Sequence, residues 1–250
     1  MKRPYIFAHR GGMGLCIENT LPCFLKALNY NVGIETDVQL TRDDVLICFH
    51  DYVFNLNSKT YTVANLTYRE LQQLEFPDNR KIPTAHDLFK LVLNEHEVRM
   101  SFDIRGINAG KVLITIAKQY GLLDNIEISD RGMIVLSQLR KFEDNVKLIY
   151  TLPEVILKIN NNNVNFAKLH KLDVKAINLK SIRANMENFN EIVKRGLECY
   201  VWGLNNKSRL KKIMQLKIED KQISAIYSDY PDMVISIKND IEESSNQITY

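Results

Sequence analysis

The feature that most constrains this chain is a repeated alternation of short apolar runs with stretches of helical spacing. Runs of roughly five residues, rich in β-branched and aromatic side chains, recur along the whole chain, and most precede a segment with an apolar residue every third or fourth position. This alternation predicts strands at 6–8, 33–40, 45–50, 99–104, 133–137, 147–151, 176–179, 199–203 and 225–228.

Helix-start signals lie between these runs. An apolar repeat of helical spacing begins at Leu21, behind the cap candidates Asn19 and Thr20. Thr67 and Thr84 are each followed three residues later by an acidic residue, which is the spacing of a capping box. Further helices are predicted at 111–120, 185–194, 208–216 and 233–240.

The count of predicted strands favours one fold class. Runs 33–40 and 45–50 form a hairpin, and if the hairpin counts once, eight strands alternate with helices, as in a closed (β/α)8 TIM-type barrel. The length of 250 residues is usual for that fold. A doubly wound open sheet is the alternative. Neither a linker nor a repeat divides the chain, which predicts a single domain over 1–250, with a frayed tail at about 242–250.

Composition excludes several classes of partner. Lys and Arg total 33 against 30 for Asp and Glu, without a long basic run, so nucleic acid is not an expected partner. The apolar runs are far shorter than the roughly 20 residues that cross a bilayer, so no membrane span is expected. The four cysteines include no CxxC pair, and no secretory leader precedes them. We therefore expect a reduced, cytoplasmic protein.

Two predicted strands end in a histidine. His9 and His50 each follow an apolar run. An imidazole with a pKa of about 6.5 can act as a general acid or base at neutral pH. A capping or core histidine is the alternative for either residue. Arg10, next to His9, offers a planar fork that suits a phosphate, although a surface arginine would need no such role.

Carboxylates lie on two of the predicted strands. Glu35 and Asp37 are two residues apart, so both project from one face, about 7 Å from each other. Like charges at that spacing favour a hard cation such as Mg²⁺ or Ca²⁺ between them, unless the face is simply solvated. Asp103 could add a third carboxylate, or it could form a structural ion pair with Arg105. Together with two histidines, this set suits metal-assisted hydrolysis of a phosphate ester.

The ordered series of motifs resembles the glycerophosphodiester phosphodiesterase family, which carries H-R-G, E-N-T, E-x-D and H-D in that order. The matching segments are His9-Arg10-Gly11, Glu18-Asn19-Thr20, Glu35-Thr36-Asp37 and His50-Asp51. The resemblance continues to nearly the end of the chain, through Ile82-Pro83-Thr84, Val201-Trp202 with Asn205, and Ser228-Asp229-Tyr230-Pro231-Asp232.

The resemblance implies a TIM-type barrel with one divalent cation, Mg²⁺ or Ca²⁺, held by three carboxylates. It implies the following roles: Glu35, Asp37 and Asp103 as metal ligands, His9 and His50 as the acid/base pair, Arg10 and Arg105 on the phosphate, and Trp202 beside the alcohol group. Glu18 and Asn19 would brace the first loop, or Asn19 would cap the following helix.

The resemblance has two departures. The family usually has Glu-x-Lys where this chain has Asp103-Ile104-Arg105, which puts metal affinity and substrate fit in question. The related sphingomyelinase D barrels have an Asp at the equivalent position, so the shorter side chain does not by itself predict inactivity. Ser137-Gln138 replaces a usual Ser-Phe and is expected to alter only the shape of the pocket.

The implied activity is hydrolysis of a small glycerophosphodiester to sn-glycerol 3-phosphate and an alcohol such as choline or ethanolamine. A lysophospholipase D or sphingomyelinase D-like activity is one alternative, and a catalytically silent barrel that binds phosphodiesters is another. Attack by water and attack by the substrate's own glycerol hydroxyl both use the same two histidines. Neither the preferred ion nor an oligomeric state follows from the sequence.

Overall fold

The first strand of the chain pairs with both the second and the last, which closes a ring of parallel strands. The structure is a computed structural model that describes residues 4–95 and 97–246. Its strands are β1 (Tyr5–Ala8), β2 (Gly33–Leu40), β3 (Leu46–Cys48), β4 (Val53–Leu56), β5 (Lys59–Thr62), β6 (Met100–Ile104), β7 (Ile126–Asp130), β8 (Lys147–Thr151), β9 (Val174–Lys180), β10 (Glu198–Trp202), β11 (Lys217–Ile218), β12 (Lys221–Gln222) and β13 (Ala225–Ser228).

Eight of these strands form a closed parallel barrel. Their order around the barrel is β1, β13, β10, β9, β8, β7, β6 and β2, and the β2–β1 pairing completes the ring. β3 folds back antiparallel to β2, while β4–β5 and β11–β12 are separate two-stranded hairpins. The predicted (β/α)8 barrel and its early hairpin are therefore confirmed, and the open sheet is wrong.

The helices lie between the strands and pack outside them. They are α1 (Leu21–Asn29), α2 (Tyr68–Gln72), α3 (Ala85–Val92), α4 (Ile107–Gln119), α5 (Met133–Phe142), α6 (Phe166–Lys171), α7 (Met186–Val193), α8 (Lys207–Met214) and α9 (Pro231–Asn246). Both predicted capping boxes are confirmed at the starts of α2 and α3. The last helix runs several residues into the segment predicted as a tail, and residues 247–250 lie outside the described part of the chain.

One predicted strand is wrong. Residues 133–137 lie in α5, which buries Leu136 and Leu139, and the strand of that repeat is β7, just before it. The apolar, β-branched composition of 133–137 resembles a strand, but the burial of residues three apart is that of an amphipathic helix. β7 carries Glu127 inside the barrel, where the carboxylate interrupts the apolar signal.

The amino-terminal end of the barrel is closed by aromatic side chains and one ion pair. Phe7, Tyr200 and Tyr227 pack within the barrel, where the ring centroids of Phe7 and Tyr227 are 4.8 Å apart. Below them Arg99 pairs with Glu127, whose residue exposure is only 1%. Among the described residues, these side chains fill the interior at this end.

The expectation of a fully reduced chain is wrong in the structure, because Cys16 and Cys23 form a disulfide. The bond joins the loop after β1 to the first turn of α1, whereas Cys48 and Cys199 are buried free thiols. These two cysteines are seven residues apart, so no CxxC motif marks the pair, and the loop between them brings them together. The predicted cytoplasmic location stays a prediction, without the support of reduced cysteines. In the described part of the chain, no helix combines the length and apolarity of a membrane span.

We expect Cys16→Ser to lower the free energy of unfolding by about 2 to 3 kcal/mol in oxidising buffer, because the unfolded chain regains the entropy of a short open loop. Urea denaturation with and without a thiol reductant measures this difference. The reductant should bring the wild type to the stability of the variant and leave the variant unchanged. Equal stability of the oxidised and reduced wild type would contradict a stabilising bond.

Candidate active site

The register of the barrel brings the predicted carboxylates together. Asp37 on β2 lies directly beside Asp103 on β6, and Glu35 lies two residues earlier on β2, facing the same side. All three line a cavity of about 770 Å³ at the carboxyl ends of the strands. His9, Arg10, His50, Arg105 and Trp202 line the same cavity. The residues predicted to act on a phosphodiester therefore share one site, as a barrel active site requires.

The buried carboxylates repel one another. Burial, together with the charges of Asp37 and Asp103, raises the pKa of Glu35 to about 8, although His9 acts in the opposite direction. Burial and the charge of Asp37 likewise raise the pKa of Asp103 to about 7. The site therefore stabilises any positive charge placed among these oxygens.

Two guanidinium groups supply part of that charge. Arg10 Nε lies 3.3 Å from Asp37 Oδ2, and an Arg105 terminal nitrogen lies 3.3 Å from Asp37 Oδ1. Both arginines were predicted to contact the phosphate, but here they pair with the middle carboxylate. Glu18 accepts a hydrogen bond of 3.0 Å from Arg10, and its role in bracing the first loop stays a prediction.

His9 is held by a residue from the far end of the chain. Its Nδ1 lies 2.6 Å from Asp229 Oδ1, and its Nε2 lies 3.9 Å from Glu35 Oε2. Burial lowers the pKa of His9, but the charge of Glu35 and the contact with Asp229 outweigh it, so the pKa is raised. The Asn205 side-chain oxygen accepts from the Asp229 backbone N–H at 2.9 Å and fixes this carboxylate. The contact leaves Nε2 as the ring nitrogen available for proton transfer.

His50 is oriented in a similar way by its neighbour. Its Nδ1 lies 2.6 Å from Asp51 Oδ1. The loop that carries it is anchored by Gln39, whose amide donates to the carbonyls of Phe49 at 2.8 Å and of Asp51 at 3.0 Å. Gln39 is 3% exposed, so it acts as a buried positioning residue for this loop.

Trp202 lies at the end of β10 and lines the cavity as predicted. The Lys180 ammonium is 5.1 Å from the centre of its ring, a cation–π contact. On the other side of the cavity the Arg105 guanidinium lies 4.9 Å from the centre of the Tyr52 ring. Aromatic faces therefore flank the polar floor of the cavity.

Three residues that shape this site had no role predicted from the sequence: Asp229, Gln39 and Lys180. The position of Asp229 near His9 could have been predicted from the fold, because the first and last strands of a closed barrel are neighbours. Ala8, just before His9, pairs with Ser228, just before Asp229. Asn19 was assigned to the helix cap, but it accepts a 2.7 Å hydrogen bond from Thr36 instead, so that alternative is wrong. Of the histidines without a predicted role, His96 lies outside the described residues.

The carboxylate set fits a divalent cation by its chemistry. The buried Oδ2 of Asp37 makes no hydrogen bond with any described residue, and the neighbouring carboxyl groups have raised pKa values. Three carboxylates with a surplus of negative charge are the ligand type that Mg²⁺ and Ca²⁺ prefer. Across residues 4–95 and 97–246, however, no group of three or more His, Cys, Asp or Glu side chains is already arranged around an ion position.

Comparison with known proteins identifies the family of this chain. The sequence profile of the Glycerophosphoryl diester phosphodiesterase family matches residues 9–233. YhdW of Bacillus subtilis is 27% identical over 248 residues, which cover 92% of this chain and 96% of YhdW. The glycerophosphodiester phosphodiesterase of Bacillus altitudinis is 23% identical over 261 residues, covering 95% of this chain and 99% of its own.

Solved structures share the barrel. A phosphodiesterase of Oleispira antarctica, in complex with the product sn-glycerol-3-phosphate, superimposes with a TM-score of 0.82 at 18% identity, over 95% of this chain and 97% of its own. The glycerophosphodiester phosphodiesterase of Thermotoga maritima gives 0.74 at 21% identity, over 96% and 99%. The match to the family profile spans most of the chain, so the protein belongs to the glycerophosphoryl diester phosphodiesterase family, a family of phosphoric diester hydrolases.

Proposed function

We propose that this protein hydrolyses glycerophosphodiesters to sn-glycerol 3-phosphate and an alcohol. The observation that carries the proposal is one cavity lined by two histidines, each on a carboxylate partner, beside three clustered carboxylates and two arginines. The product bound by the Oleispira antarctica phosphodiesterase supports the choice of a glycerol ester.

In this proposal His9 and His50 divide the proton transfers. One imidazole takes the proton of the attacking hydroxyl or water, and the other gives a proton to the leaving alcohol. The carboxylates of Asp229 and Asp51 hold each ring in one orientation, and the charge of Glu35 and the contact with Asp229 raise the pKa of His9. Because each histidine has its own carboxylate partner, one ring can act as the base while the other acts as the acid in the same catalytic cycle.

The charged groups bind the phosphate in the same proposal. Glu35, Asp37 and Asp103 would hold Mg²⁺ or Ca²⁺, which would supply charge neutralisation for the phosphate oxygens. With Asp37 engaged in this way, Arg10 and Arg105 are free to donate to the phosphate as bidentate forks. The two arginines contact Asp37 and, in this proposal, would also donate to the substrate phosphate.

Turnover of glycerophosphocholine, followed as release of sn-glycerol 3-phosphate, tests the proposal. We expect release with Mg²⁺ or Ca²⁺, its loss on addition of EDTA, and its return with excess ion. Release that EDTA does not affect would overturn the metal assignment but keep the reaction. Absence of turnover with either ion, on any glycerophosphodiester, would leave a phosphodiester-binding barrel instead.

A lysophospholipase D activity is the second candidate. Exposed apolar side chains are next in sequence to residues that line the cavity: Val155, 87% exposed, follows Glu154, and Ile134, 70% exposed, precedes Val135. Lysophospholipase D GDPD1 of Rattus norvegicus is 24% identical over 274 residues, covering 90% of this chain. Choline release from lysophosphatidylcholine, compared with release from glycerophosphocholine, distinguishes the two candidates by the ratio of kcat/KM values.

A further inference from the structure

Hydrogen-bonding side chains line the wall of the cavity that faces the clustered carboxylates. In the ring of eight strands, β9 is four positions from β2 in either direction, so it lies across the barrel from Glu35 and Asp37. The cavity on that side is lined by Asn178 on β9, Thr151 beside it on β8, and Trp202 on β10. We call these three residues the polar wall. Because the carboxylates lie opposite, the polar wall faces a different part of any substrate they attract.

Part of the polar wall has no partner within the protein. Asn178 is 7% exposed, and neither its Oδ1 nor the Nε1 of Trp202 makes a hydrogen bond with any described residue. An unpaired buried polar group is costly, so its presence at a cavity wall points to a ligand that completes the hydrogen bonds. Hydroxyl groups both donate and accept, so a polyol can donate to the amide oxygen and accept from the indole N–H. A quaternary ammonium group can do neither.

A cation of the protein already contacts the groups on this side that could recognise a charged alcohol. The Lys180 ammonium lies 5.1 Å from the centre of the Trp202 ring and 2.6 Å from a carboxylate oxygen of Glu154. Arg131 lies 3.8 Å from the other Glu154 oxygen. An aromatic face and a carboxylate are groups that attract a quaternary ammonium, and here both are engaged by basic side chains.

Two further lining groups are engaged in the same way. The Arg105 guanidinium lies 4.9 Å from the centre of the Tyr52 ring, and Asp130 interacts with the charges of Arg105 and Arg131. A choline group would therefore compete with a lysine or an arginine at each of these aromatic and acidic groups. A polyol would instead meet polar atoms that are unpaired.

We propose that the polar wall binds the leaving alcohol and selects a neutral polyol, such as glycerol, over a quaternary ammonium alcohol, such as choline. This inference rests on the proposed function, which assigns the phosphate to the carboxylates and arginines and so leaves the opposite wall to an ester group. Asn178 is then a residue that determines specificity, and Lys180 acts through Trp202 and Glu154 to disfavour cationic alcohols.

Turnover of two diesters that differ in the alcohol tests the role of Asn178. We expect the wild type to have a higher kcat/KM for glycerophosphoglycerol than for glycerophosphocholine. Asn178→Leu, which keeps the size of the side chain, should lower the ratio of the two kcat/KM values roughly tenfold, through loss on glycerophosphoglycerol. The diester of choline serves as the internal control for the fold and the chemistry of the variant.

Removal of the Lys180 charge should change the specificity in the opposite sense. Lys180→Met should raise kcat/KM for glycerophosphocholine about three- to tenfold, because the Trp202 ring and the Glu154 carboxylate become available to the choline group. Lys175→Met is the matched control: Lys175 is exposed on the same strand and pairs with Asp173. The control should keep the wild-type values for both diesters. An equal gain in both lysine variants would contradict the role of Lys180.

Fluorescence tests binding separately from turnover, because Trp202 is the only tryptophan of the chain. In the His9→Ala background with Mg²⁺, we expect a Kd for glycerophosphoglycerol about tenfold below that for glycerophosphocholine, and Asn178→Leu should remove this difference. Such a preference without turnover of either diester by the wild type would support the polar wall and defeat the proposed function. Equal Kd values, or an unchanged ratio in Asn178→Leu, would overturn the inference. An equal loss on both diesters would also overturn it, by assigning the polar wall to the glycerol that they share.

Discussion

Replacement of His9 or His50 by Ala should lower kcat for glycerophosphodiester hydrolysis by about 10²- to 10⁴-fold, the usual contribution of a positioned acid or base. Both rings line the cavity, and each lies 2.6 Å from a carboxylate that orients it. Because the proposed mechanism assigns the two residues to different proton transfers, each single variant should lose activity without a large change in KM. Steady-state release of sn-glycerol 3-phosphate measures both parameters.

His86→Ala is the matched control for these variants. His86 is exposed on α3, and its Nδ1 lies 3.3 Å from the Tyr120 hydroxyl. This variant should keep the activity and the unfolding temperature of the wild type. Full activity in His9→Ala or His50→Ala, with the metal requirement intact, would refute the assignment of the acid/base pair.

The largest expected loss of stability follows from breaking the ion pair at the closed end of the barrel. Glu127→Gln should lower the free energy of unfolding by about 3 to 5 kcal/mol, because the Arg99 charge loses its partner. Arg99 Nε donates to Glu127 at 2.7 Å, and a terminal nitrogen donates to the Tyr200 hydroxyl at 2.7 Å. The guanidinium also lies 4.4 Å from the centre of the Tyr5 ring. Chemical denaturation monitored by tryptophan fluorescence measures the change.

The double variant Arg99→Met/Glu127→Leu provides the matching test. A buried ion pair gains little over apolar groups of similar size, so removal of both charges should restore most of the stability that one substitution loses. With the single variants Arg99→Met and Glu127→Leu, the double variant completes a double-mutant cycle. Its non-additivity separates the energy of the ion pair from that of the packing. Loss in the double variant equal to the sum of the single losses would show that the contribution is packing rather than charge pairing.

The barrel was predictable because its signals are local and repeated. Apolar runs, capping boxes and the hairpin are each written within a few residues, and both capping boxes at Thr67 and Thr84 form as predicted. The error at 133–137 arose where local composition and tertiary burial disagree. The strand count nevertheless came to eight, because a helix misassigned as a strand replaced the strand β7 that was missed.

The site was predictable only in part, for a reason of distance along the chain. His9 and His50 follow strands, while Glu35 and Asp103 lie on strands and face the barrel interior. These local patterns place all four residues in one cavity, as expected. The contact of His9 with Asp229 spans 220 residues, and no local pattern announces it. The pairing of Arg10 and Arg105 with Asp37 depends on distances between neighbouring strands that the spacing of motifs does not contain.

The ring closure between β1 and β13 has a consequence for when activity can arise during synthesis. His9 is synthesised 220 residues before Asp229, whose carboxylate lies 2.6 Å from its Nδ1. A truncated product that stops before β13 lacks both the strand that closes the ring and the partner of His9. The contact that orients His9 can therefore form only after β13 and Asp229 have been synthesised.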